Sequence, residues 1–363
     1  MEWQKQNQFN SFNSWKGLLY APQYAQVAKG EIPIPIEASI DPIHACNLKC
    51  AHCNAARYMV GEAVAMPEEH LLNLVEFLAG WGVKAVCYGG GGEPTLHKGL
   101  VNAIIMAAGK GMEVGIATNG TLIGMGEIVA AMGQICRWVG VSVDAATEGV
   151  YERLKGRDLF ANVLLNIRRL VRESEKGKCD VCYKFLISSV NQGEVFEACR
   201  IAKELGVRDF HARPADPRHQ GAGEAAESLA QVDVERVLEQ FDRCHEIETE
   251  QFRVFTVVHK FDPKFLPVKN FTQCYSAPLA IQCCADGKVY FCVDQRQQEE
   301  FVLGEHFPEP KQILEFWGGG RHKELVYGGV PARCNTRCTF GVYAEQCERV
   351  FVKRDDPMCW KFT

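Results

Sequence analysis

Between residues 36 and 214, short runs rich in β-branched and aromatic residues alternate with segments whose apolar positions recur three and four residues apart. The second kind of segment predicts amphipathic helices, and the clearest three cover residues 68–80, 160–174 and 194–205. Six strands are predicted, at residues 36–41, 84–90, 112–118, 139–144, 182–188 and 207–213. Strands and helices that alternate in this way predict a parallel sheet covered by helices.

Six β-α units are too few for a complete eight-unit barrel. With right-handed crossovers they predict an α/β fold of the partial (β/α)6 TIM-barrel type, with the chemistry at the carboxyl ends of the strands. The pattern changes after Pro214, where a polar, glycine-bearing stretch precedes a charged helical segment. We therefore predict four parts: an N-terminal extension at 1–35, the partial barrel at 36–215, a connector at 216–270 and a small cysteine-rich domain at 271–363.

Composition and charge narrow the class of protein. An apolar content of 47% supports a buried core, and a net charge of -5 gives no general attraction for nucleic acid. The sequence has neither an apolar run long enough to cross a membrane nor the layout of a secretion signal, so we expect a cytoplasmic protein without a membrane partner. In such a chain, 17 cysteines favour metal ligation over disulfide bonds.

Three cysteines stand close together directly after the first predicted strand, as Cys46-x3-Cys50-x2-Cys53. Thiolates are soft ligands that favour iron–sulfur clusters or zinc. A structural zinc site usually closes its tetrahedron with a second pair of ligands, and no such pair follows nearby, because the next cysteine, Cys87, lies within a predicted strand. Three ligands leave one metal position open for a substrate, although the triplet alone also permits zinc.

The triplet, with His52 just before its last cysteine, resembles the hallmark of the radical S-adenosylmethionine (SAM) superfamily. The resemblance implies a [4Fe–4S] cluster on Cys46, Cys50 and Cys53 that binds SAM, with His52 near the adenosyl group. It also implies SAM contacts at the ends of the predicted strands. These come from Gly91, Gly92 and Glu93 near the methionyl amino group, from Asn119, Ser142 and Asp144 near the ribose and carboxylate, and from Lys155.

Each of these motifs also has a purely structural interpretation. A glycine run suits a plain turn between strand and helix, and Asn, Ser and Asp are favoured at helix starts whether or not a ligand is present. Lys155 departs from the family pattern, since many relatives have an arginine there, and lysine offers a point charge instead of a bidentate fork.

The C-terminal cysteines predict a second metal site. Cys274 and Cys292 flank a predicted β-hairpin, and Cys334-x3-Cys338 follows. This arrangement resembles the SPASM and Twitch auxiliary-cluster domains of radical SAM enzymes, and it implies at least one auxiliary [4Fe–4S] cluster on these four cysteines. A second cluster would draw on four others, which are otherwise buried or free thiols: Cys283, Cys284, Cys347 and Cys359.

The resemblance implies that SAM is cleaved reductively to a 5′-deoxyadenosyl radical, which abstracts hydrogen from a C–H bond, with electrons from an external reductant such as flavodoxin or ferredoxin. The short segment before Cys46 leaves little room for a leader-recognition domain. This favours a small polar substrate, such as a sugar, aminocyclitol or nucleoside, and its oxidation, epimerisation or rearrangement. Candidate catalytic residues are Arg213, for a substrate or SAM carboxylate, and Lys184, if it faces the barrel interior. The alternatives are a salt bridge for Arg213 and a surface charge for Lys184.

Two other functions stay open. Modification of a peptide or of a nucleic-acid base would require a macromolecular partner. A basic set offers a phosphate surface, unless it is simply a solvated loop: Arg321, His322, Lys323, Arg333 and Arg337. A non-catalytic metal-binding or electron-transfer module would show no SAM cleavage, and it explains the glycine and strand-end motifs poorly.

Overall fold

The computed structural model describes residues 17–353, with gaps at 18, 57–58, 60–61, 125, 216–230, 262–268 and 335–337. Its strands are β1 (Glu37–Asp41), β2 (Ile43–His44), β3 (Val64–Ala65), β4 (Ala85–Tyr88), β5 (Glu113–Thr118), β6 (Trp138–Ser142), β7 (Asp180–Ile187), β8 (Asp209–Pro214), β9 (Arg253–Thr256), β10 (Ala280–Cys284), β11 (Lys288–Tyr290) and β12 (Val302–Glu305). Ten of these strands form one sheet in the order β12-β11-β10-β1-β4-β5-β6-β7-β8-β9, and β2 pairs with β3 alone. From β10 through β1 to β9, neighbouring strands are parallel.

The longer helices follow the strands of this sheet and pack on one of its faces. The helices are α1 (Ala21–Ala28), α2 (Glu68–Trp81), α3 (Leu100–Gly109), α4 (Gly126–Ile135), α5 (Glu148–Lys155), α6 (Phe160–Ser174), α7 (Val195–Leu205), α8 (Val234–Glu246), α9 (Ile313–Phe316), α10 (Gly320–Tyr327), α11 (Val330–Arg333) and α12 (Gly341–Cys347). The predicted helices at 68–80, 160–174 and 194–205 correspond to α2, α6 and α7. The six predicted strands correspond to β1 and to β4 through β8, so the predicted α/β partial barrel is confirmed.

The two faces of the sheet differ in chemistry because side chains alternate along each strand. On β6, Val139 and Val141 are fully buried in the apolar core, and a Cβ at Gly120 would touch both Val141 and Val163 of α6. The opposite face of the same strand carries Gly140 and the half-buried Ser142. The helix-facing side therefore supplies the core, and the other side forms the barrel interior, where Trp138 also lies.

The C-terminal hairpin joins the barrel sheet instead of standing apart from it. β10 and β11 are antiparallel, as the hairpin prediction requires. β10 also pairs in parallel with β1, in a register that runs from Glu37 opposite Ala280 to Asp41 opposite Cys284. The sheet is thus continuous across the predicted boundary at residues 270 and 271, and the division of the chain into four domains stays a prediction.

None of the described helices combines the length and the apolar character that crossing a membrane requires.

Two buried histidines connect α2 to the segment after β12. His306 Nε2 lies 3.0 Å from the carbonyl oxygen of Cys284, and His306 Nδ1 lies 2.8 Å from His70 Nε2. A carbonyl oxygen only accepts, so His306 Nε2 carries the proton on that side, and His70 is likewise hydrogen-bonded to the backbone of Pro308. Burial lowers the pKa of His306 to about 4, and it also lowers the pKa of His70.

This pair predicts a loss of stability in mild acid. Because the pKa of His306 is depressed in the folded state, its contribution is complete above the ordinary value of 6.5 and is lost as the pH falls towards 4. We expect the free energy of unfolding to fall by about 2 kcal/mol between pH 6.5 and pH 5. Denaturant unfolding at several pH values would measure this free energy for the cluster-loaded protein and for its His306→Leu variant. The acid sensitivity of the clusters is common to both proteins, so the difference between their pH slopes reports His306. Equal pH slopes in the two proteins would contradict the assignment.

Candidate functional site

The cysteine triplet lies on the loop after β2, near the carboxyl end of β1. Cys46, Cys50 and Cys53 are each half-buried. Burial raises the pKa of Cys46, and it raises the pKa of Cys50 to about 11 although the positive charge of Lys155 opposes the shift. Iron binding on this loop therefore releases protons, because the thiolate is the ligand.

Backbone hydrogen bonds fix the cysteine loop against the end of α5. Lys49 N donates to Lys155 O over 3.1 Å, and Ala51 N donates to Leu154 O over 2.9 Å. These two bonds flank Cys50 in sequence. The position of this cysteine therefore depends on the α5 terminus, which the sequence pattern did not indicate.

Asn119, directly after β5, brings a side-chain amide to the first cysteine. Its Nδ2 lies 3.6 Å from Cys46 Sγ and donates to Asn47 Oδ1 over 2.8 Å. Asn47 Nδ2 in turn donates to Thr121 Oγ1 over 2.8 Å. The network joins the predicted strand-end residue Asn119 to the cysteine loop, and an N–H group beside a sulfur favours the thiolate form.

The glycine run after β4 allows a charged pair to approach the backbone. A Cβ on Gly91 would lie 2.6 Å from Asp41 Oδ2, and a Cβ on Gly90 would overlap the Arg296 guanidinium. Gly90 also has a φ of 119°, in the region that favours glycine. These two glycines are needed for the Asp41–Arg296 pair, a requirement that is separate from any contact with SAM.

Gly92 and Glu93 connect the glycine run to the cysteine loop. A Cβ on Gly92 would overlap the carbonyl oxygen of Ala45, and Glu93 N donates to that same oxygen over 2.8 Å. The buried Glu93 carboxylate accepts from Thr118 Oγ1 (2.7 Å) and from Asn119 N (2.6 Å). Burial raises the pKa of Glu93, and these hydrogen bonds oppose the shift. Glu93 thus ties the ends of β4 and β5 together, and its contact with SAM stays a prediction.

Asp144, two residues after β6, organises the other side of the loop. It is fully buried and has a φ of 63°, which is rare outside glycine and costs of order 1–3 kcal/mol. Its Oδ2 accepts from His52 Nε2 over 3.1 Å and from Lys155 Nζ. Its Oδ1 accepts from Leu186 N over 2.7 Å. One carboxylate therefore links the cysteine loop, α5 and β7.

The Asp144–Lys155 pair is charged at neutral pH. Burial alone would raise the pKa of Asp144, but the charge of Lys155 and the hydrogen bond from His52 hold it well below its usual value. Burial would likewise lower the pKa of Lys155, but the charges of Asp144 and Cys50 keep it above its usual value. Lys155 is only 2% exposed and is engaged inside the protein. Its implied contact with the SAM carboxylate stays a prediction.

Lys184 faces the barrel interior and is not the surface charge that the sequence also allowed. Ser142 pairs in register with Lys184, and Lys184 pairs with His211. The Lys184 Nζ lies 4.9 Å from the centre of the Trp138 ring, and burial lowers the pKa of Lys184. Arg213 is two residues beyond His211 on β8 and is exposed. Three predicted site residues thus share the interior of β6, β7 and β8.

The four predicted auxiliary ligands line a single cavity beside the C-terminal hairpin: Cys274, Cys292, Cys334 and Cys338. Most of the remaining lining is apolar, including Phe291. Burial raises the pKa of Cys274, which the neighbouring thiols Cys338 and Cys334 raise further, and burial raises the pKa of Cys338 to about 12. Four thiols in an apolar cavity form a donor set that suits an iron–sulfur cluster.

The three described cysteines of the second set do not converge. Cys283 and Cys284 are successive residues of β10, so their side chains point to opposite faces of the sheet. Cys347 lies elsewhere, with its sulfur 3.9 Å from the carbonyl oxygen of Tyr24, and Cys359 lies outside the described residues. A second auxiliary cluster on these four residues is therefore not supported.

The predicted basic surface is also wrong in part. His322 is buried and packs edge-on against Trp317, with ring centroids 4.4 Å apart. Arg321 is paired with Glu324 on the same helix. The side chains of Arg333 and Arg337 lie outside the described residues.

His52 adds a polar ring to the cysteine loop, and Asp144 holds its Nε2. His52 Nδ1 is buried and has no hydrogen-bond partner in the described part of the chain, which leaves a donor or acceptor for a ligand beside the triplet.

Comparison with known proteins decides the family. Residues 40–187 match the Radical SAM superfamily. Over 174 residues the chain is 36% identical to a Methanocaldococcus jannaschii protein whose name places it among glycyl-radical enzyme activating enzymes, covering 47% of this chain and 69% of that protein. The chain belongs to the radical SAM superfamily. It is therefore a radical SAM enzyme, with a [4Fe–4S] cluster and SAM as its cofactors.

Other relatives of this radical SAM enzyme match over shorter parts of their length. It is 25% identical over 219 residues to the AdoMet-dependent heme synthase of Methanosarcina barkeri, covering 60% of each chain. It is 28% identical over 186 residues to the antilisterial bacteriocin subtilosin biosynthesis protein AlbA of Bacillus subtilis, covering 50% of this chain and 39% of AlbA. The enzyme thus spans at most about 60% of the length of these two relatives.

A solved structure supports the fold of the radical SAM enzyme. The crystal structure of Streptococcus suis SuiB bound to precursor peptide SuiA has 16% sequence identity and a TM-score of 0.63, covering 89% of this chain and 73% of that chain. At this identity the likeness concerns the fold alone. It confirms the partial barrel and extends over most of the described chain.

Proposed function

We propose that this radical SAM enzyme modifies a peptide. The supporting relative is AlbA, named for biosynthesis of a bacteriocin, and SuiB, whose fold is similar, was solved with a precursor peptide. The observation in this chain that carries the proposal is the open sheet: among the described strands, β9 pairs only with β8, and β12 pairs only with β11. The sheet is therefore not closed into a complete barrel, and we infer that an extended chain enters between its two edges. A peptide is better supported than the small polar substrate expected from the sequence.

The residues of the cysteine loop hold the reacting cofactors in this proposal. Cys46, Cys50 and Cys53 ligate the cluster, which together with SAM supplies a 5′-deoxyadenosyl radical for hydrogen abstraction. His52 and Asn119 contact bound SAM from either side of the loop, while Asp144 and Lys155 fix His52 and the backbone beside Cys50. Gly91, Gly92, Glu93 and Ser142 complete the SAM site from the strand ends.

The barrel interior binds the target side chain of the peptide. Lys184 is half-buried there and forms no ion pair within the described part of the chain, so its ammonium is available for a carbonyl or carboxylate of the substrate. Arg213 lies further towards the carboxyl end of the neighbouring strand and is suited to a second polar contact. Such contacts hold the target C–H bond in a fixed position relative to SAM. Fixed positioning of the reacting groups contributes to the rate of hydrogen abstraction.

The auxiliary cavity holds one [4Fe–4S] cluster on Cys274, Cys292, Cys334 and Cys338. Gln295 Nε2 donates to Cys334 Sγ over 3.0 Å, and Asp294 N donates to Cys292 Sγ over 3.5 Å. Hydrogen bonds to the sulfurs tune the reduction potential of a cluster. Bound to these four cysteines, a cluster would supply an acceptor for one electron or a metal position for the substrate.

The proposal can be tested with deuterated extract from cells that carry the gene. The anaerobically reconstituted enzyme, SAM and dithionite are incubated with peptide-sized and small-molecule fractions, and deuterium in 5′-deoxyadenosine is measured by mass spectrometry. We expect enrichment only with the peptide fraction, and its loss after that fraction is treated with protease. Enrichment from the small-molecule fraction that survives protease would favour a small polar substrate instead, and sensitivity to nuclease would favour a nucleic acid.

Replacement of Lys184 by methionine should separate SAM cleavage from substrate turnover. Loss of a hydrogen bond from a charged donor costs about 1.5–3 kcal/mol, so we expect deuterium transfer from the peptide fraction to fall about 10- to 100-fold. SAM cleavage without substrate should be unchanged, because no hydrogen bond or ion pair joins the Lys184 side chain to the described residues of the cysteine loop. Lys178→Met, at an exposed position just before β7, is the matched control. Equal deuterium transfer in the two variants would remove Lys184 from the substrate site.

A further inference from the structure

Three buried side chains of different types meet where β1 and β10 end. The carboxylate of Asp41, the imidazole of His44 and the thiol of Cys284 offer one ligand atom each, and these atoms all lie within 4.8 Å of one another. Asp41 and Cys284 are 0% exposed and are partners in the β1–β10 register, while His44 on β2 is 4% exposed. No cluster ligand is among them. We propose that Asp41, His44 and Cys284 form a binding site for one divalent metal ion of the zinc class.

The donor set selects this class of ion. Oxygen, nitrogen and sulfur ligands on one centre suit a borderline ion such as Zn²⁺, whereas Mg²⁺ and Ca²⁺ require oxygen ligands. Ligands of one tetrahedral zinc ion lie about 3.3–3.8 Å apart, and Cys284 Sγ lies 3.6 Å from Asp41 Oδ2. Binding displaces the thiol proton of Cys284 to solvent, and the thiolate becomes the ligand.

Gln282 is a buried polar neighbour of the site. Its side chain is 1% exposed, and its Oε1 has no hydrogen-bond partner among the described residues. Its Nε2 lies 3.3 Å from Cys284 Sγ and 3.4 Å from the carbonyl oxygen of Cys283. The amide N–H groups therefore face Cys284 and favour its thiolate form, and a water molecule completes the coordination of the ion.

Charge is the main argument against a cation, since Arg296 Nη1 lies 3.2 Å from Asp41 Oδ2. A second carboxylate, that of Asp286, compensates for this arginine, because it lies close enough to influence both His44 and Cys284. A zinc ion and Arg296 together balance Asp41, Asp286 and the Cys284 thiolate. The loaded site is therefore electrically neutral, as a buried site requires.

The position of the site indicates what the ion does. His44 is two residues before Cys46, so the ion fixes the start of the cysteine loop. Asp41 and Cys284 belong to neighbouring strands, so the ion also joins the barrel to the C-terminal hairpin. This role is independent of the substrate, and it would stand if the proposed peptide modification failed.

The test uses reconstituted enzyme whose clusters are filled, so that their cysteines are not available to zinc. The enzyme is incubated with zinc chloride and desalted, bound zinc is counted by elemental analysis, and X-ray absorption at the zinc edge gives the number of sulfur ligands. We expect one zinc per chain with one sulfur and otherwise nitrogen and oxygen ligands. No retained zinc, or zinc with three or four sulfurs, would overturn the proposal even without any variant.

Matched variants place the ion at these residues. Loss of a hydrogen-bond partner of a metal ligand weakens metal binding roughly 10- to 100-fold, and loss of a ligand should cost more. We therefore expect Cys284→Ala to weaken zinc binding by more than about 100-fold. Cys283→Ala, one residue earlier and on the opposite face of β10, should bind zinc normally. Arg296→Met should bind zinc more tightly, because it removes the competing cation. Equal affinity in the Cys284→Ala and Cys283→Ala variants would overturn the assignment.

Discussion

Replacement of Asp144 by alanine is expected to lower the free energy of unfolding by about 3–5 kcal/mol, because it leaves the Lys155 ammonium buried without its counter-charge. The same change removes the acceptor for His52 Nε2 and for Leu186 N. The cysteine loop loses an anchor as well, so we expect less iron to be retained after anaerobic reconstitution. Denaturant unfolding and iron analysis of the same preparations measure the two effects.

Two further variants separate the charge of Asp144 from its shape. Asp144→Asn keeps the acceptor for Leu186 N, so its loss of stability reports the charge together with the Oδ2 acceptor for His52 Nε2 and Lys155 Nζ. Asp144→Ala combined with Lys155→Met removes both charges and should recover much of the stability, since a buried pair replaced by apolar groups is often neutral. A double variant no more stable than Asp144→Ala alone would show that Lys155 is not the source of the penalty.

Replacement of Cys338 by alanine is expected to reduce the iron content of the reconstituted enzyme from about eight to about four atoms per chain, because each [4Fe–4S] cluster carries four. SAM cleavage without substrate should persist, since the triplet is intact. Product formation from the peptide should be lost. Iron and sulfide analysis, combined with separate assays of 5′-deoxyadenosine and of modified peptide, distinguishes these outcomes.

Cys347→Ala is the matched control for the auxiliary site. Cys347 is buried in the same C-terminal region, at the end of α12, but its sulfur faces the carbonyl oxygen of Tyr24 instead of the cavity. We expect its iron content to equal that of the unmodified enzyme. If Cys347→Ala lost as much iron as Cys338→Ala, the ligand set would have to be redrawn.

Most strands and helices of the barrel could be predicted from local sequence patterns. Alternation in β6 and β7 and the helical period of α2, α6 and α7 are properties of a few neighbouring residues, so the sequence displays them directly. The pairing of β1 with β10 has no such local sign, because it joins segments at opposite ends of the chain. The separate C-terminal domain was predicted for that reason, although its hairpin extends the barrel sheet.

In the candidate site, too, the sequence shows local motifs but not the contacts between distant residues. Cys46, Cys50 and Cys53 are visible as a spaced motif, whereas the partners of strand-end residues depend on tertiary contacts. Lys155 is an example, since only the fold reveals that its ammonium meets Asp144. The glycine run after β4 is a second example. The sequence suggested that these glycines make room for a ligand, but the structure shows that Arg296 and Asp41 already occupy the space of a side chain there.

The pairing of β1 with β10 also sets the order in which the protein can assemble. On the ribosome, β1 emerges long before β10, so its outer edge has unpaired N–H and C=O groups while the rest of the barrel is being made. Contacts of such long sequence separation form slowly. Synthesis therefore passes through a stage at which the strand before the cysteine loop is an open edge, prone to pair with other chains. A chaperone that covers this edge would raise the yield of folded enzyme.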